Sequence, residues 1–133
     1  MSTLFRLVSI LCLINAVAVL VFNTYFPLNP AAVQPLWDYV VDPLTLIVLV
    51  LVVGLNVRAS LQTTGAEPVR SQGPVDLFTM VTAFVGIIYL HNYVLKFSDH
   101  FEASATIWNL FAPAVIVITG VSAISFWRRA DRV

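Results

Sequence analysis

Asp38 and Asp42 stand one helical turn apart in sequence, His91 and Asn92 are neighbours further along, and Asp99, His100 and Glu102 follow shortly after. Carboxylates and imidazoles are the ligands of hard and borderline metal ions, and the same groups pass protons. A site built on Asp42 and His91, with Asp38, Asn92, Asp99, His100 and Glu102 as further contributors, would hold a metal ion or relay protons. A pocket for a lipid or quinone head group is a third use of the same residues. No spacing among them matches a known ligand motif, so residue type alone carries the suggestion. The competing reading is plain solvation: Asp42 caps a helix at Pro43, His91 hydrogen-bonds across helices, and the charges at 99–102 face water.

Other chemistries are excluded by what the chain lacks. Cys12 is the single cysteine, which rules out an internal disulfide, a CxxC redox pair and a structural zinc site, and leaves a small buried hydrophobe. Two histidines, one of them outside the apolar runs, cannot supply the paired axial ligands of a membrane b-type cytochrome. There is no Walker motif, nucleophile elbow or HExxH. Nothing in the sequence requires a cofactor, and a catalytic activity of its own is the weaker expectation.

The elements that must position these residues are set by hydropathy. Of 133 residues 59% are hydrophobic and only 11% charged, whereas a soluble domain of this size needs about a quarter charged residues to cover its surface. The chain must therefore be solvated by lipid. Apolar runs at 7–22, 44–57 (extended by 36–41), 77–95 and 107–127 each approach the roughly 20 residues that cross a bilayer. The sequence predicts an all-α integral membrane bundle of four transmembrane helices, one domain over 1–133, with spans near 5–24, 36–57, 76–96 and 106–127 and a cytoplasmic loop at 58–75. Arg6 and the triplet Ala16-Val17-Ala18 imitate a cleaved secretory signal, but the apolar run continues to Phe22 and reads as a retained first span.

Arg6, Arg58, Arg70, Arg128, Arg129 and Arg132 fall on one side of the four spans and only Lys96 on the other. The positive-inside rule then predicts a multi-pass protein of the plasma (inner) membrane with both termini cytoplasmic. The loop at 58–75 is rich in polar residues and breakers, and Asp76 is expected to cap the third span. Tyr25, Phe26, Trp37 and Tyr39 with Pro27, Pro30 and Pro35 suggest a stiff aromatic segment along the interface. Helix is expected from about Leu36, with a kink or break at Pro43.

The halves echo one another: Trp37-Asp38 precedes Pro43 as Trp108-Asn109 precedes Pro113, and Arg58-Ala59 closes one span as Arg129-Ala130 closes the other. Two duplicated helical hairpins would give this pattern. So would the preferences of any membrane hairpin for interfacial Trp and inside Arg.

Counting at about 1.5 Å per residue puts Asn23, Asp42, His91 and Asn109 roughly 22 to 28 Å above the arginine level, so each span brings a polar group to the outer third of the bilayer. Asn15 and Thr119 come out at matching depth, which predicts a hydrogen bond between them. With zero net charge there is no face for nucleic acid. Minimal loops and spans apolar nearly all round point to a non-catalytic accessory or assembly subunit of a larger membrane protein complex, with other membrane protein subunits and lipids as partners. A small homo-oligomeric transporter or channel and a membrane enzyme component with a metal or quinone site are the alternatives.

Overall fold

Long apolar runs leave the backbone one way to satisfy its polar groups in lipid, the helix. The computed structural model describes residues 2–25, 28–63, 73–98 and 105–132. Helix α1 is Ser2–Tyr25 and α2 is Pro30–Leu36; a π turn at Trp37–Val41 joins α2 to α3, Asp42–Thr63; α4 is Gly73–Leu95 and α5 is Ala105–Ala130. Four helical stretches, Ser2–Tyr25, Pro30–Leu61, Pro74–Leu95 and Thr106–Ala130, are long and apolar enough to cross a membrane. The protein is thus an all-α bundle of four membrane-spanning helices.

Two boundaries differ from expectation. The segment at 30–36 is not separate from the second span: Asn29 caps it through Ala32 N–H, Pro30 opens it, and it runs on through the π turn. Residues 58–63, expected in the loop, continue α3. The kink or break expected at Pro43 takes the form of a widened turn just before it. The N–H of Asp42 bonds to the carbonyl of Trp37, five residues back, which makes room for a proline ring that would clash with the preceding turn of a regular α-helix. Pro113 sits inside the continuous α5, so the two prolines that the sequence pairs are accommodated differently.

Helix α1 packs chiefly along α5, and α3 along α4. The first pair is antiparallel with the termini together: Phe5 stacks on Phe126 at 5.9 Å, Ser9 Oγ donates to Ala123 O at 2.6 Å, and Arg6 reaches Asp131 at 3.4 Å. One apolar cluster, with Val8, Cys12, Val48, Val52 and Phe126, fills this termini end. A second, with Val19, Trp37, Val41, Tyr89 and Val115, fills the opposite end. Asp76 lies in the first turn of α4 rather than at its cap and accepts from Ser60 Oγ at 2.9 Å, tying α4 to α3.

Polar glue in the middle of the bundle is also placed differently from expectation. Asn15 is fully buried but accepts from Thr45 Oγ1 of α3 at 2.9 Å, while Thr119 donates to Val115 O of its own helix at 2.7 Å. Adjacent helices can share a level without facing side chains, and a threonine hydroxyl in a helix has a carbonyl at hand one turn back. Thr45→Val is therefore expected to cost roughly 0.6 to 1.7 kcal/mol and Thr119→Val much less, measured by reversible unfolding in mixed micelles; equal costs would count against this assignment.

Candidate functional site

On α4, Thr82, Val85, Tyr89 and Asn92 recur at alternating spacings of three and four, and all are buried. Lys96 extends the stripe one step past the helix end, where its N–H closes a turn on Tyr93 O. On the facing element, Asp38 and Asp42 are followed by Thr45, Leu49, Val52 and Asn56 in the same alternation. Because the helices pack along these stripes, Asp38, Asp42, Tyr89 and Lys96 meet at the end away from the termini.

The meeting point is an ion cluster. Lys96 Nζ bonds to Asp38 Oδ1 and, at 2.6 Å, to Asp42 Oδ2. Tyr89 Oη donates to the other Asp42 oxygen at 2.6 Å. Gln34 Nε2, one turn before Asp38, donates to both Asp38 oxygens at 2.9 and 2.8 Å. The ammonium also lies 4.2 Å from the centre of the Trp108 ring, which packs edge-on against Tyr89 at 4.7 Å. Asp42 is fully buried and the Lys96 side chain is 12% exposed, so these charges are shielded from solvent and each depends on its partners. Charge-assisted hydrogen bonds and a cation over an aromatic face are the strong contacts available in such a setting. Four elements, α2, the π turn with α3, α4 and α5, are joined here through one ammonium.

Asp38, Asp42 and Asn92 are thus on the inward side, and Asn92 is fully buried beside the cluster. His91, expected beside Asp42, is exposed. Two residues on from Tyr89, it sits about 200° round α4 and faces away from the bundle. Asn23 and Asn109 are exposed as well. Equal depth brought these residues to one level, but depth says nothing about which way around a helix a residue points. Asp99, His100 and Glu102 lie outside the described residues. Among the described residues no group of three or more His, Cys, Asp or Glu is arranged to hold a metal ion.

The sequence reading missed Lys96 as the partner, with Tyr89, Trp108 and Gln34 around it. Signals for it existed. Lys96 is the only Lys or Arg between positions 71 and 127, and it keeps the three-four spacing from Tyr89 and Asn92. It closes the span expected over 76–96, where its charge reads only as a marker of the side of the membrane.

No family model, curated protein or solved structure matches the chain.

Removing one member of a buried ion cluster leaves the rest uncompensated. Lys96→Met is expected to destabilise the bundle by about 3 to 5 kcal/mol, and adding Asp42→Leu should recover part of that loss because a buried charge is removed with its partner. A double-mutant cycle read by unfolding in mixed micelles measures this coupling; strictly additive effects would show that the two groups stand independently.

Proposed function

We propose that the chain is a non-catalytic accessory subunit of a larger membrane protein complex, in a plasma membrane with both termini cytoplasmic, and that a partner's transmembrane helix seats between α3 and α4. The observation that carries this reading is a lateral groove of about 650 Å³ along those helices, walled by Leu46, Val50, Ala83 and Leu90 and floored at Gly54 and Gly86. A Cβ added at Gly54 would meet nothing within 4 Å, and one at Gly86 only Leu49, at an ordinary 3.8 Å. The bundle's own packing therefore requires neither glycine, although each weakens a helix relative to alanine by about 1 kcal/mol. Small residues that serve nothing inside serve a close approach from outside. Helices in lipid associate where small residues admit another backbone, whereas an acyl chain fills apolar space without needing one exposed. The arginine distribution supports the orientation.

Gentle extraction from native membranes followed by native mass measurement tests the reading. The expected result is a heteromeric assembly that Gly86→Leu and Ala83→Leu dissociate while leaving helicity unchanged. A lone 14.7 kDa species from unmodified membranes would overturn it, and exact multiples of that mass would make the partner a second copy of the chain.

A small oligomeric transporter or channel is the second reading, favoured by the fully buried Asp42 beside Lys96 and Tyr89. Against it, Val48, Val52 and Val115, all at 0% exposure, close the interior beyond Thr45. Flux into liposomes should be absent under the first reading; substrate-dependent movement abolished by Asp42→Asn would transfer the assignment to the second. An enzyme component with a metal or quinone site on Asp42 and His91 draws no support from an outward-facing His91.

A further inference from the structure

At the termini end, between α3, α4 and α5, lies a pocket of about 260 Å³ bordered by Asn56, Phe78, Ser122, Ser125, Arg129 and the first turn of α4. Ser122 is 1% exposed and its Oγ has no hydrogen-bond partner among the described residues. A buried hydroxyl normally finds one, so an unsatisfied one lining a pocket marks where a ligand atom belongs. Arg129 is held against the same wall: its Nη1 donates to Asn56 Oδ1 at 3.2 Å and its guanidinium lies 5.5 Å from the centre of the Phe126 ring. That hydrogen bond uses one of five guanidinium donors.

A second hollow of about 330 Å³ adjoins the first, sharing Val121, Ser125 and Arg129 and adding Ile124, Arg128 and Arg132. The combined slot is cationic at its mouth and apolar along its length, where Phe78, Val121 and Ile124 lie. The C-terminal end of α5 turns the negative pole of its dipole to the mouth, and Arg128 and Arg129 in its last turn offset this. The first turn of α4, at Pro74 and Val75, presents a positive pole. Among the described residues this end carries Arg6, Arg58, Arg128, Arg129 and Arg132 against Asp76 and Asp131, and those two aspartates are engaged by Ser60 and Arg6.

We propose that this slot binds an anionic glycerophospholipid. Arg129, with Arg128 and Arg132, takes the headgroup phosphate, Ser122 donates to an ester carbonyl deeper in the slot, and the acyl chain continues past Val121 toward Val117, one turn further along α5. The two polar points, a guanidinium at the mouth and a hydroxyl further in, match the phosphate and ester of one lipid and not a free phosphate ion, which has no second group to offer Ser122.

Native mass spectrometry of the purified full chain, titrated with phosphatidylglycerol or phosphatidylcholine of identical acyl chains, reads the outcome. Phosphatidylglycerol should be retained about fivefold more strongly, Arg129→Gln should erase that preference, and Ser122→Ala should weaken retention of both lipids. Arg58→Gln, which changes an exposed residue outside the slot, should change nothing. Should Arg129→Gln fail to fold for want of its bond to Asn56, the combined Arg128→Gln and Arg132→Gln variant, in exposed residues, must reduce the preference instead. Equal retention of both lipids by the parent, or an unaltered preference in these arginine variants, overturns the proposal. So does displacement of phosphatidylglycerol by inorganic phosphate with Ser122→Ala indistinguishable from the parent, which would make the ligand a soluble anion.

Discussion

One ammonium sets the arrangement of the end of the bundle remote from the termini. In lipid there is no hydrophobic drive to bring apolar helices together, so faces are selected by close packing and by polar groups that have nowhere else to go. Lys96 has two carboxylates and an indole face, and Asp42 has Lys96 and Tyr89. Rotating α4 by one residue would carry Tyr89 and Asn92 off the interface and leave a fully buried aspartate without its hydroxyl donor. A rotation of α3 would do the same from the other side. Charges this far from solvent contribute little net stability over apolar residues of the same shape, but they penalise every other register. The cluster thus acts mainly as a specifier of which stripes meet.

The π turn belongs to the same constraint. Pro43 follows Asp42 directly, so whatever accommodates the proline also aims the carboxylate. The widened turn lets Trp37, Val41 and Asp42 all face inward, at 7%, 2% and 0% exposure, a broader face than a regular helical stripe provides. It keeps Asp38 close enough for both carboxylates to share Lys96, while Gln34 in the preceding turn donates to both Asp38 oxygens. The cost of a disrupted helix at 37–41 is offset by placing two acids and a tryptophan on one side.

The four spans were legible because only their composition had to be read, and lipid solvation leaves apolar runs of that length one conformation. The disturbance at Pro43 was legible in place but not in form, since a kink and a π turn answer the same steric clash. The one-turn spacing of Asp38 and Asp42 pointed to a shared face, and the structure puts both on it. Depth counting failed where direction mattered: His91, Asn23 and Asn109 reach the level of the cluster and turn outward. It failed for Asn15 because Thr119 satisfies its hydroxyl within its own helix, leaving Thr45 to meet the amide. Lys96 escaped because a long side chain at a helix end can reach back into the bundle, which its position as the last residue of the predicted span does not reveal.

Inside and outside of this bundle are therefore governed by different rules. Within, Lys96 is bonded to Asp38 and Asp42, and the core between Thr45 and Asn56 is closed by Val48, Leu49 and Val52. Outside, Gly54 and Gly86 leave a floor that nothing in the bundle fills, and at the termini end Ser122 keeps a buried hydroxyl with no partner among the described residues beside a held guanidinium. A methyl group would fit at either glycine, so the bundle's own packing accounts for neither. The groove at the glycines opens laterally, whereas Ser122 is buried against its pocket between the helices. The Lys96 cluster is thus turned inward, while the arginines of the termini end and the unfilled groove between α3 and α4 face outward.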